Sequence, residues 1–209
     1  EIDPLDDVCV EAGDVVSFPV TATDPDANVV SLSAFGGPFE LPDSAFFPQD
    51  IQGQGTVTGT FSWQTTCAHV QVQPYQVVFR AEDSGVFPQL VDIETMYILV
   101  VGPAPENVVA TPISNTIDLS WDISVCTEVV GYDIYRKNQF YGFVPGECET
   151  GVPGYTGYSK IASLNGLNAN SYLDDNNGLG LPKGNSYCYM IVARFPDGAE
   201  SYASAEVCA

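Results

Sequence analysis

Basic side chains are scarce in this sequence: six Lys and Arg stand against 27 Asp and Glu, a formal net charge of -21. The imbalance holds in both halves, with 15 acidic groups against Arg80 alone in residues 1–102 and 12 against five in residues 103–209. Phosphate recognition needs a field of the opposite sign, so nucleic acid is excluded as an expected partner, and so is an anionic membrane surface. Such a surface attracts divalent cations, and its self-repulsion keeps the chain soluble and monomeric. Long apolar runs are missing as well. The longest, Met96 to Val101, falls far short of the ~18 residues that cross a bilayer and reads as a buried strand. The opening residues EIDPLDDV lack the basic-then-apolar form of a signal peptide and there is no initiator Met, so the chain reads as a segment of a longer protein. No cysteine pair has CxxC spacing, and His69, the one histidine, does not complete a zinc set. A Ser-His-Asp or Cys-His nucleophile would have to use that same His69, in the segment Thr66-Cys67-Ala68-His69. No catalytic apparatus is therefore expected.

Helical periodicity is nearly absent, and strand alternation takes its place. Ile117, Leu119 and Trp121 alternate with Thr116, Asp118 and Ser120, as a half-buried strand requires. Tyr75, Val77 and Phe79 repeat the pattern, as do Tyr187, Tyr189 and Ile191. Further strands are predicted over 15–22, 29–35, 56–63, 92–101, 106–111, 131–137, 158–163 and 200–207, separated by Gly, Pro, Asp and Asn clusters that supply turn geometry. A hydrophobic content of 45% with 11% aromatics argues for a folded core despite the charge. At 209 residues the length suits two domains. The fold class expected is all-β, two tandem Ig-like β-sandwiches over residues 1–102 and 103–209. Between them Gly102-Pro103-Ala104-Pro105 reads as a semi-rigid linker that stacks the modules end to end.

Cysteines fall as Cys9 and Cys67 in the first half and Cys126, Cys148, Cys188 and Cys208 in the second. An even count in each half suits disulfides within modules, hence an oxidising compartment outside the cell or at its surface. A hairpin turn around Pro196-Asp197-Gly198 places Cys188 opposite Cys208. With Tyr187, Tyr189 and Ile191 facing inward, this bridge would staple the sheet from its outer face. Cys126 is then left for Cys148 and Cys9 for Cys67, although three connectivities stay open for the last four cysteines.

Residues 105–121 (PENVVATPISNTIDLSW), 131–137 (GYDIYRK) and 186–204 (SYCYMIVARFPDGAESYAS) resemble a fibronectin type III domain, with a long insertion at 138–157 as the departure. Residues 10–26 (VEAGDVVSFPVTATDPD), 59–65 (GTFSWQT) and 81–100 (AEDSGVFPQLVDIETMYILV) resemble bacterial cadherin-like or putative-Ig repeats. The pair is similar to segments of large type IX-secreted, gliding-motility-associated surface proteins. Asp43-Ser44-Ala45 resembles a short O-glycosylation motif of the same proteins.

The cadherin-like resemblance implies calcium, with Glu11, Asp24, Asp26 and Asp83 at the matching positions. Asp6 and Asp7 would add to the six or more hard oxygens that calcium takes. The acidic cluster Leu173 to Gly178 reads as a solvated inter-strand loop. In the insertion, Phe140, Tyr141, Phe143 and Tyr155 stand among glycines, a composition of adaptable binding loops, though for aromatics the favoured reading is a lid folded over the sandwich with Cys148 pinning it to Cys126. The function expected is that of structural and adhesion modules of a larger secreted or cell-surface protein, a spacer whose partners are neighbouring domains of the same chain. The alternative is an accessory region that uses the aromatic insertion to recognise polysaccharide or another surface protein.

Overall fold

The computed structural model describes residues 1–84 and 89–209. The stretch 81–100 quoted above therefore includes four positions, 85–88, that lie outside the described residues. The rest is strand and turn, with three short 3-10 turns at Gly37–Glu40, Cys67–His69 and Gly154–Thr156. Contacts divide the chain into two compact units, residues 1–69 with 73–100 and residues 70–72 with 101–209.

The first unit contains β1 (Val8–Glu11), β2 (Val15–Thr23), β3 (Val29–Gly36), β4 (Ile51–Gln54), β5 (Thr56–Gln64), β6 (Tyr75–Asp83) and β7 (Val91–Val101). One sheet has the order β1-β7-β6-β3-β4, and β2 pairs with β5 in a second, two-stranded sheet. Alternation decides which face packs. In β5, Val57, Phe61 and Trp63 are buried while Thr56, Thr58 and Thr60 are exposed, because successive side chains leave a strand on opposite sides. Phe61 stacks on Phe18 at 5.0 Å and meets Phe79 edge-on at 6.2 Å, and Phe47 meets Phe79 edge-on at 5.3 Å. Burying each ring contributes about 2–3 kcal/mol. Gly59 belongs to this packing, since a Cβ there would sit 2.6 Å from the Phe47 ring.

The second unit contains β8 (Val109–Ile113), β9 (Thr116–Ser120), β10 (Gly131–Asn138), β11 (Ser159–Asn165), β12 (Ser171–Asp174), β13 (Tyr187–Arg194) and β14 (Val207–Cys208). Its sheets run β12-β9-β8 and β11-β10-β13-β14, the three-plus-four sandwich of fibronectin type III and Ig-like folds. Trp121, immediately after β9, is buried against Tyr132 at 5.6 Å. The Tyr187 hydroxyl donates back to the Pro182 carbonyl at 3.3 Å, a tyrosine corner at the entry to β13.

The strand expected over 200–207 is the principal departure. At the turn Arg194 bridges Glu200, whereas farther along Cys188 pairs with Cys208, so the returning chain has gained two residues and its ladder is broken. Two buried serines repair it. Ser201 Oγ accepts the Ala193 N–H at 2.8 Å and Ser204 Oγ accepts the Ile191 N–H at 2.9 Å, which leaves neither amide of β13 unpaired.

Candidate functional site

All six cysteines are disulfide-bonded, and the Cys188–Cys208 bridge joins the two strands across which they were expected to face. Its surroundings differ from the expectation. The face carrying Cys188 is fully buried with Tyr158, Met190, Val192 and Ala203, and Tyr135, Phe143 and Val152 pack against them. Both faces of β13 are thus covered, because the insertion folds back over the sheet and closes a second small core.

Anchors at both ends hold the insertion in place. Glu206, just before β14, accepts the N–H groups of Tyr141 (2.7 Å), Gly142 (2.6 Å) and Phe143 (3.4 Å), and the hydroxyl of Tyr158. Three successive amides around one carboxylate form an anion nest. Burial pushes the Glu206 carboxyl up, but the Tyr158 hydroxyl and the three amides together outweigh it and hold it below the usual range. The far end is fixed by Cys148 N–H on the Tyr202 hydroxyl (3.1 Å), Gly151 N–H on the Ser201 carbonyl (2.8 Å) and Lys137 Nζ on the Thr156 carbonyl (2.7 Å).

The four aromatic candidates consequently separate. Phe143 turns inward to the second core. Tyr141 lies under the Lys137 ammonium, 4.3 Å from its ring centre. Phe140 and Tyr155 remain 68% and 65% exposed, and Tyr155 donates to Glu149 at 2.7 Å.

The expected calcium ligands converge only in part: Asp24 and Asp83 line one pocket with Glu1, Glu82 and Asp92, but Glu11 does not join them. Ile2 bonds Asp92, Leu5 bonds Glu94 and Asp7 bonds Tyr97, so the leading segment advances in parallel with β7 and carries Glu11 to its far end. Asp83 lies beside the near end, where Glu82 pairs with Val91. Ten residues of strand separate the two ends, roughly 30 Å. Asp6 and Asp7 fall between them on the leading segment. Asp24 Oδ1 is spent on its own turn, accepting the Asp26 and Asn28 N–H groups at 2.8 and 3.1 Å, and Asp26 is exposed on the same turn. Among the described residues, the group of three metal-type ligands within one ion's reach is Cys188, Glu206 and Cys208. Its sulfurs are bonded to each other and offer no thiolate.

His69, the one imidazole in the sequence, is buried against Trp63 at 4.9 Å, and its Nδ1 accepts the Thr66 N–H at 3.0 Å. Burial lowers its pKa, against a smaller opposing pull from Asp43. The 173–178 cluster is not a plain solvated loop either. Asp174 is 1% exposed, holds Arg136 Nη1 with both oxygens at 2.8 and 2.9 Å and accepts the Tyr189 hydroxyl at 2.8 Å. Sequence reasoning missed this pair because Arg136 and Asp174 are 38 positions apart on strands of different sheets. It missed Glu206 too, whose role depends on where the insertion returns. The buried Asp133, facing Lys160 Nζ at 2.9 Å and Arg194 Nε at 3.0 Å, also gave no local signal.

No protein-family profile matches the chain, and no curated protein sequence matches it. Among solved structures, it is similar to the chicken CNTN1 FN1-FN3 domains at 15% identity and a TM-score of 0.39, over 97% of this chain and 67% of that one. It is also similar to the Clostridium perfringens spore cortex lytic enzyme SleM at 14% identity and a TM-score of 0.39, over 77% of this chain and 35% of the enzyme.

Proposed function

We propose that this chain forms non-catalytic structural and adhesion modules of a larger secreted or cell-surface bacterial protein, of the cadherin-like and fibronectin type III kind found in type IX-secreted, gliding-motility-associated proteins. The observation that carries the reading is where the reactive groups have gone: six sulfurs are in disulfides and the histidine is packed between Trp63 and Tyr75. Cross-linked sulfurs fit an oxidising compartment, and among the described residues no helix is long and apolar enough to cross a membrane. Disulfides also suit a spacer mechanically, because a bridged loop cannot lengthen when the chain is pulled.

Single-molecule force spectroscopy on the 209-residue chain tests this. Discrete unfolding events are expected, with a released length well under the ~3.3–3.6 Å per residue of a free chain, growing when reductant is added. A chain that extends smoothly at low force, with the same length before and after reduction, would end the spacer reading. A second reading rests on the exposure of Phe140 and Tyr155: the insertion presents aromatic faces to a polysaccharide or a surface protein. Under that reading Phe140→Ala with Tyr155→Ala abolishes capture of the ligand without lowering stability.

A further inference from the structure

The first unit carries a groove of about 570 Å³ on the outer side of β5, lined by Phe46, Gln52, Thr56, Thr58, Thr60 and Ser62 among others, and among the described residues no ionisable side chain lines it. This neutrality stands out beside residues 1–102, where 15 acidic groups face one arginine. The hydroxyls continue onto the paired strand. Thr23 lies opposite Thr56, Thr21 opposite Thr58 and Ser17 opposite Ser62, and the Thr21 and Thr58 hydroxyls are 2.9 Å apart. Phe46 borders these rows and is 64% exposed. Its backbone exchanges both hydrogen bonds with Ser62, at 2.7 and 2.9 Å, and the adjacent Phe47 is buried in the core. The ring is therefore presented on a fixed backbone, which lowers the ordering cost of a contact. Gly53 keeps the floor low, since a Cβ there would lie 2.1 Å from the Thr56 carbonyl oxygen.

From this geometry we infer that the groove binds a neutral oligosaccharide. A pyranose offers an apolar CH face to a ring such as Phe46 and hydroxyls to the Thr, Ser and Gln rows, and shallow sites of this kind place a few polar groups around an aromatic contact. Uncharged glycans match the uncharged lining, while uronate and sulfated glycans are repelled by the surrounding carboxylates. The site is separate from Phe140 and Tyr155 and goes beyond the spacer reading, giving the adhesion role a ligand class.

The test is isothermal titration calorimetry of the intact, oxidised chain with neutral hexasaccharides of β-1,4-glucan, β-1,3-glucan and β-1,4-mannan, and with an oligogalacturonate of equal length. At least one neutral hexasaccharide is expected to bind, the oligogalacturonate is not, and Phe46→Ala weakens binding at least about tenfold. Thr58→Asp, which introduces a charge on an exposed position, is expected to abolish it. Both variants should melt within about 2 °C of the parent, as surface substitutions do. No heat with any neutral hexasaccharide, binding of the oligogalacturonate alone, or a loss caused by Phe140→Ala but not by Phe46→Ala each overturns the assignment. The force measurement is independent of all of these outcomes.

Discussion

Single charged residues in this chain differ in worth according to how far they are withdrawn from water. The Arg80–Glu82 pair leaves its side chains 37% and 26% exposed, and such a pair contributes at most about 1 kcal/mol. Asp174 is different: its side chain is 2% exposed and it serves Arg136, the Tyr189 hydroxyl and the Asn176 N–H at once. Burial pushes the Tyr189 hydroxyl up in pKa, and its hydrogen bond to Asp174 adds to this. Removing the carboxylate strands a guanidinium and a phenol between two sheets, so Asp174→Ala is expected to cost about 3–5 kcal/mol. Glu82→Ala should stay within about 1 kcal/mol. Urea denaturation of both variants measures the contrast, and equal small losses would show that Arg136 finds another partner. Lys160, with its side chain 49% exposed, keeps its ammonium in water, so its share of the Asp133 cluster is the smaller one.

At the scale of elements, alternation in the sequence was enough to locate β2, β3, β5, β6, β7, β9, β10, β11 and β13 to within a few residues. Period two is strong where one face is buried under aromatics. Short strands escaped notice: β1, β4 and β12 have four residues each, too few to set a period. The 200–207 segment misled for a different reason. Ser201, Tyr202 and Ser204 alternate well enough, yet two extra residues break the ladder and serine hydroxyls stand in for backbone carbonyls. The Cys188–Cys208 pairing was expected from the turn, yet strict counting from the Arg194–Glu200 bridge sets Cys188 opposite Glu206, and the two residues gained on the returning chain bring Cys208 there instead. The lid was foreseen from its aromatics, but its anchor was not, since Glu206 is 63 to 65 positions from the amides it holds. That anchor makes the order of the insertion's leading end depend on one carboxylate. In Glu206→Ala the amides of Tyr141, Gly142 and Phe143 should exchange with solvent at least about tenfold faster, as charge-assisted bonds of about 1.5–3 kcal/mol are lost. Amides of β10 should be unchanged. Hydrogen exchange read residue by residue by NMR decides this, and unaltered protection at all three amides would show that the lid is held without Glu206.

The whole molecule is governed by its charge, -21 at pH 7 with a pI near 4.1. Self-repulsion of that size opposes compactness at neutral pH and relaxes as carboxylates take up protons. Glu200 follows the same direction. Burial, and then the neighbouring Asp133 charge, raise its carboxyl above the ordinary 4.5, so the folded state binds a proton there more readily than the unfolded chain does. Folding is therefore favoured as pH falls through the raised value. Glu149 and Glu206 act in the opposite sense. The Gly146 N–H, followed by the Tyr155 hydroxyl, lowers Glu149, and the lid amides with Tyr158 lower Glu206 in spite of its burial. Their contribution is complete above the ordinary carboxyl value and is lost as pH falls through their lowered ones. These opposing signs place the stability maximum on the acid side of neutrality. The thermal midpoint should rise from pH 7 to about pH 5 and decline below about pH 4. At pH 7, 1 M NaCl, with a Debye length of about 3 Å, should reproduce much of the rise. Calorimetric scans across this range would refute the account if the midpoint fell steadily from pH 7 downward, or if salt lowered it at neutral pH.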